Sequence, residues 1–443
     1  MRALRLCEIP AALAYKFGPY YLDVYSNNLS PYLRLMLHAY TADYIFPISS
    51  PPIQNGVVVT DDKGEILDVL EPEKYKPENF SEAPQLEKYS GIICPGFINA
   101  HCHLELSHMQ GKVSAGKTLP GFIGEVIRKR EADKDAIEAA IAKAEDEMIA
   151  NGIVGVGDIC NTNDTVNAKM KGRLRYHNFI EVFDIIPAKA DIEFEKGIAL
   201  LEKFKSAGSS SSIVPHAPYT VSSKLLKRIY EHAYTHDSIL TIHNQETESE
   251  NEMFRSKSGA LAEKLSSLGD LYKDWKPTGY SSLSSTLSHF PRCNKTLLVH
   301  NTYSTLEDIN WAHLYSSVIY WCFCPNANLY IENKLPDFQT FIDASCKILI
   351  GTDSYASNHS LSVLEELKTI SRHAPKIPLD TLLKWATLNG ADFFGWKKEL
   401  GSLEKGKRPG INLVTDVDME TLSLTEISEV RTLSPHPESL SEG

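Results

Sequence analysis

His101 and His103 are separated by one residue at the end of an apolar run, IICPGFINAH. Successive side chains of a strand alternate faces, so both imidazoles project to the same side, the spacing two nitrogens need to share one ion. Alone, a His-x-His pair is a weak signal, and a single strand-end histidine is often a hydrogen-bonded structural residue. The chain, however, repeats the feature. His216 ends SSIVPH, His243 ends SILTIH, His300 ends TLLVH, and Asp353 ends KILIGTD, with Glu246 three residues beyond His243. Neutral imidazoles with a carboxylate suit Zn²⁺, with Fe²⁺ as the alternative, and an open position on such an ion activates water. A carboxylic acid beside it, Glu246, can carry a proton to the substrate.

Such groups need strand ends that converge, and the chain supplies them. Eight strand-like runs lie between Ile92 and Asp353: IICPGFINAH, IVGVGDI, RYHNFIEVF, SSIVPH, SILTIH, TLLVH, SVIYWCF and KILIGTD. Amphipathic helical stretches lie among them, including 135–150, 223–235 and 360–373. This alternation predicts an α/β fold, a (β/α)8 TIM barrel, whose reactive groups gather at the carboxyl ends of the strands. A doubly wound open sheet is the rival, weakened because no G-x-G-x-x-G follows the first strand. The flanks read differently. Residues 36–70 carry short strands and a hairpin turning at DDKG, 72–90 an exposed connection, and GSLEKGKRPGINLVTDVD one more strand. The expected organisation is an N-terminal extension over 1–35, a small β-domain composed of 36–90 plus 401–443, and a barrel over 91–400. The last ten residues read as disordered.

Composition narrows the function. The 443 residues contain 45 Lys and Arg against 57 Asp and Glu, a net charge of −12, which argues against a nucleic-acid partner. No run is basic enough to read an anionic membrane or apolar enough to span one. The eight cysteines are scattered, as in a reduced cytoplasmic chain, and Cys322-x-Cys324 reads as strand packing. Residues 1–35 are interrupted by Glu8, Lys16 and Asp23 and do not read as a signal peptide.

PGFINAHCHLELS, PHAPYT, TIHNQE, LLVHNTY, CPNANLYI and GTDSYASNHSLSVLEELK, in this order, resemble the amidohydrolase superfamily. The resemblance runs from about Tyr40 to Asp416. It is nearest to the branch holding methylthioadenosine/S-adenosylhomocysteine deaminases, guanine deaminases and triazine chlorohydrolases, and within it to an aminofutalosine-deaminase-like group. It implies that His101, His103, His243 and Asp353 are metal ligands. It implies further that Glu246 is the acid/base, that His300 orients or deprotonates the water, with Asp353 also serving catalysis, and that His216 contacts substrate. Binuclear relatives carry a bridging lysine at the end of strand four. Here that place reads Val214-Pro215-His216, which implies one divalent metal per chain.

On the substrate side, Glu105 lies two residues beyond His103, and Glu125 falls in a segment that closes over the site in relatives. Asn326 and Asn328 follow strand seven, and Ser357 and Asn358 follow Asp353. Trp321, Phe323 and Glu365 read as structural. The tail GKRPGINLV departs from the family pattern, which bears on subgroup and not on catalysis. The expected function is a metal-dependent hydrolase of carbon–nitrogen bonds that releases ammonia from an amino-substituted purine or pyrimidine ring or nucleoside. Aminofutalosine, adenosine-type, guanine and cytosine substrates all fit. Cyclic-amide hydrolysis, a chlorohydrolase on the same site, and a non-catalytic barrel binding protein are the alternatives. The expected partner is a small-molecule substrate, with a homodimer as the family-level expectation.

Overall fold

The computed structural model describes residues 36–80, 83–267, 272 and 275–434. The expected extension over 1–35 and the tail over 435–443 lie outside the described residues. Eight parallel strands form the centre: Phe97–Cys102, Ile153–Cys160, Arg175–Val182, Ser210–Pro215, Leu240–Asn244, Thr296–His300, Ile319–Phe323 and Ile348–Ile350. These are barrel strands one to eight, and each matches one of the runs read from sequence. Strands one to four pair in order, as do five to eight. Backbone hydrogen bonds join the two halves. His243 N donates to His216 O (3.0 Å) between strands five and four. Thr352 N and Asp353 N donate to His101 O (3.0 and 3.1 Å) between strands eight and one. The closure therefore runs through the site residues themselves.

Some of the helices start at a capping serine. Ser222 accepts from Leu225 N ahead of the helix Ser223–Thr235. Ser362 accepts from Glu365 N ahead of Val363–His373. That cap delays the second helix by three residues relative to the expected 360, which leaves 353–361 as a loop beneath the site. The helices cover the barrel with an apolar layer that includes Trp321, Phe323 and Phe341, all fully buried. Phe323 packs edge-on against Phe338 and Phe341, as expected for strand-seven packing. Cys322 and Cys324 are buried free thiols. Glu365 pairs with Lys368, as expected for a structural residue.

The first expected strand divides. Ile92–Pro95 does not belong to the barrel: it pairs antiparallel with Ile411–Thr415 and parallel with Tyr44–Ile45 in the small five-stranded sheet. Only Phe97–Cys102 enters the barrel. Gly96 makes the break, because a Cβ there would sit 2.3 Å from Val154 Cγ1 and 2.7 Å from Pro409 O. The 57–70 hairpin forms as expected, with Val57–Asp61 antiparallel to Ile66–Leu70. The connection after it is not merely exposed, since Gln85–Lys88 pairs with Leu37–Thr41. Both chain ends thus contribute to the small β-structure, and one of its strands continues directly into barrel strand one.

Candidate active site

Four donor atoms converge at the carboxyl end of the barrel. His103 Nε2 lies 3.2 Å from His101 Nε2 and 3.3 Å from His243 Nε2. Asp353 Oδ1 lies 3.3 Å from His103 Nε2 and 3.7 Å from His101 Nε2. An ion bonded tetrahedrally at about 2.0–2.1 Å holds its ligands roughly 3.3 Å apart. The donors therefore already stand at the separations one such ion requires. Nitrogen lone pairs facing one another at this distance repel unless a cation lies between them, so the donor set fits a metal. Burial lowers the pKa of His103 to about 3 and that of His300 and His216 to about 4, and holds His243 well below the ordinary range. The rings are neutral, the form that ligates. Burial alone would raise Asp353, but His101, His103 and His300 outweigh it and keep the carboxylate ionised.

Two of the four donors, His243 and Asp353, are aimed by a neighbour. His243 Nδ1 donates to His216 O (2.8 Å), which leaves Nε2 for the cluster. Ser357 Oγ donates to Asp353 Oδ2 (2.5 Å), which leaves Oδ1. The expectation that Ser357 touches substrate is not what the structure places there: the hydroxyl is spent on a ligand. Asp158 on strand two accepts from Leu104 N (2.8 Å), fixing the chain just past His103, and is itself paired with the buried Lys169. Gly351 permits the close approach of strands eight and one, since a Cβ would fall 2.8 Å from His101 Cβ. His300, Asn301, Asp353 and Gln245 all adopt positive φ, at 72°, 56°, 57° and 46°. Such backbone costs energy and persists where surrounding contacts over-determine it.

Glu246 and His300 stand beside the cluster. Glu246 Oε1 is 3.8 Å from His300 Nε2. Burial, then the Asp353 charge, raises the Glu246 pKa well above the ordinary carboxylate range and favours its protonated form. His300 Nδ1 donates to Asn328 Oδ1 (2.8 Å), leaving the Nε2 lone pair free. The turn that presents Glu246 is held by Glu250, whose two oxygens accept from Gln245 N (3.0 Å) and Glu246 N (3.1 Å). It is the third residue of the helix Glu248–Ser256, reaching back over the helix start.

A cavity of about 230 Å³ opens above these groups. Its floor is His103, His243, His300, Asp353 and Glu246, with His216 also lining it. Its wall is apolar: Leu119, Phe122, Ile123, Val126 and Ile127 from the helix Thr118–Lys129, with Phe183 after strand three. That helix is held by a separate apolar cluster with Tyr219, Met253 and Phe254. Arg130 is the one cation lining the cavity among the described residues, and Glu181 and Asn161 add polar atoms.

Three of the expected substrate contacts lie elsewhere. Glu105 turns away from the cavity, where its Oε2 accepts from Asn161 N, Thr162 N and Thr162 Oγ1 (2.9–3.0 Å). Glu125 faces the outer side of its helix, accepting from Lys129 and Ser114 N. Asn326 is tied to Thr369 and Glu366. The segment around Glu125 does form the wall, but through its apolar residues. Glu181, which ends strand three, is a cavity residue the strand-end reading passed over. Its position after RYHNFI carried the same signal as the histidines.

The chain matches the amidohydrolase family over residues 92–435, and it belongs to that family. It is 27% identical over 398 residues to an aminodeoxyfutalosine deaminase of Nitratiruptor sp., covering 86% of this chain and 91% of that protein. It is 27% identical over 385 residues to a 5-methylthioadenosine/S-adenosylhomocysteine deaminase of Moorella thermoacetica, covering 84% and 83%. Among solved structures it resembles the Helicobacter pylori aminofutalosine deaminase in complex with methylthio-coformycin. That match has a TM-score of 0.72 at 22% identity, covering 88% of this chain and 93% of that one. An adenosine deaminase of Xanthomonas campestris with bound zinc matches at TM-score 0.69 and 21% identity, covering 91% and 94%.

Proposed function

We propose that this amidohydrolase-family chain is a metal-dependent deaminase that replaces the ring amino group of an adenosine-type nucleoside by a carbonyl and releases ammonia. The observation that carries this reading is the buried Glu246 carboxyl 3.8 Å from an unprotonated His300 Nε2, both beside a four-donor cluster. His101, His103, His243 and Asp353 would hold one divalent ion, zinc in the first place and iron(II) in the second. When bound, that ion supplies Lewis acidity that brings the pKa of water toward neutrality.

The residues then divide the proton work. Glu246 gives its proton to the ring nitrogen beside the amino-bearing carbon, which makes that carbon electrophilic. His300 Nε2, with its other nitrogen committed to Asn328, accepts a proton from water as oxygen adds to the carbon. The proton on His300 passes to the amino group, which leaves as ammonia. The proton of the added hydroxyl returns to Glu246 as the carbonyl forms. The apolar wall excludes bulk water and supports a substrate with an apolar arm beyond the sugar, with Arg130 at its edge.

An ammonia-release screen over adenosine-type nucleosides, aminofutalosine, guanine and cytosine, with metal analysis on the same sample, tests this. Ammonia from a nucleoside with about one metal per chain is expected. Release of halide from chlorinated rings or of ring-opened acids from cyclic amides, with no ammonia, overturns it. About two metals per chain overturns the single-ion site.

A further inference from the structure

Glu181 is the polar cavity residue that the proton chemistry does not use. It ends strand three with its side chain only 3% exposed, and it lines the cavity. Its Oε2 is fixed by Asn161 Nδ2 (2.9 Å), which also donates to the Glu181 carbonyl (3.2 Å). Asn161 is in turn fixed by the buried Glu105. Two residues, Asn161 directly and Glu105 through it, thus hold the carboxyl group in place, yet its Oε1 has no hydrogen-bond partner. His243 Nδ1 stands 3.6 Å away and already donates to His216 O. A buried acceptor so braced and left open is expensive unless a ligand supplies the donor.

His216 offers a second acceptor beside it. The Thr220 hydroxyl donates to Ala217 O (3.1 Å), so His216 Nδ1–H donates to Thr220 Oγ1 (2.8 Å), and Nε2 keeps its lone pair. A ring nitrogen of His216 and a carboxylate oxygen of Glu181 lie within 4.8 Å of each other. The cavity therefore presents paired acceptors on strands three and four, apart from the proton-transfer pair that follows strands five and six.

An adenine ring offers only acceptor nitrogens along its edges, apart from the amino group that must sit beside Glu246. The remaining donors of such a nucleoside are the hydroxyls of its sugar. We infer that Glu181, with His216 beside it, recognises the vicinal hydroxyls of the substrate's ribose, and so selects a nucleoside over a free base. This inference rests on the nucleoside-deaminase reading above.

The test compares adenosine and 5′-methylthioadenosine with their 2′,3′-dideoxy counterparts and with free adenine. Each is assayed by kcat/KM for the wild type, Glu181→Gln and Glu181→Ala, with metal content measured on each protein. The wild type is expected to lose at least about 30-fold when the hydroxyls are removed, the scale of leaving a buried acceptor unsatisfied. In Glu181→Ala that penalty shrinks to about threefold, with metal retained, and Glu181→Gln falls between. Equal losses on ribose and dideoxy substrates, loss of metal in Glu181→Ala, or a preference for adenine overturn the role of Glu181 while leaving the deaminase standing. No ammonia from any of these substrates overturns the deaminase reading itself.

Discussion

The floor and the wall of the cavity are built on opposite terms. On the floor the working side chains have assigned partners: Asp353 holds Ser357, His243 holds the His216 carbonyl, and His300 holds Asn328. The backbone there accepts positive φ at Gln245, His300, Asn301 and Asp353. The wall has almost none of this. It is one amphipathic helix whose Phe122, Ile123, Val126 and Ile127 face the cavity without hydrogen bonds, and Ile127 and Phe183 are 60% and 48% exposed. Directional bonds fix the place of reacting atoms to fractions of an ångström, whereas apolar surface only defines a volume. On the proposed function, the contrast puts the proton chemistry on the floor and leaves the wall to shape the volume the substrate fills.

The sharpest way to break that division is to remove a ligand. Asp353→Ala is expected to lower kcat by about 10⁴-fold or more and bound metal to below about a tenth of an ion per chain, read by metal analysis alongside ammonia release. Glu246→Gln should lower kcat by about 10²–10⁴-fold with metal content unchanged. Metal loss in that variant would move Glu246 into the ligand set. Ser357→Ala leaves every ligand in place and frees only the orientation of Asp353, so metal affinity should fall about 10–100-fold, measured by competition with a chelator. On the wall, Ile127→Ser should raise KM several-fold with kcat within about twofold. A matching fall in kcat would show the wall taking part in the chemistry.

The smallest effect concerns stability. Burial raises the Glu366 pKa to about 8, from the model-peptide value of 4.5. The folded chain then binds this proton more tightly than the unfolded one. Its stabilising contribution is full below the unfolded pKa and is lost as pH climbs from about 4.5 through about 8. Tm should fall by a few degrees between pH 6 and 9. A Tm that rises over that interval would contradict it.

The same contrast explains what could be read from sequence. Ligation and proton transfer demand particular residue types, and a parallel barrel demands them at strand ends. His101, His103, His243, His300, Asp353 and Glu246 were therefore legible together with the eight strands. Wall residues such as Phe122 and Val126 obey no such demand, since an apolar helix face over a cavity has the same pattern as one over a core. Glu105 shows the limit of strand parity. The chain leaves the strand after Cys102 and enters a short helical turn over Leu104–Met109, so extending the alternation past His103 pointed the carboxylate the wrong way. The division at Gly96 was hidden because apolar residues on either side of it serve two sheets equally well.

That division has a consequence for the order of events during synthesis. Ile93 and Leu413 are partners in one ladder, although translation separates them by tens of seconds at about 5–20 residues per second. Every ligand has emerged by Asp353, yet the segment leading into the first ligand-bearing strand still waits for Ile411–Thr415. A nascent chain stalled before that strand would hold all four donor residues on a barrel whose entrance strand lacks its neighbour. Completion of Ile411–Thr415, rather than arrival of the last donor residue, is the event that gives the entrance strand its neighbour.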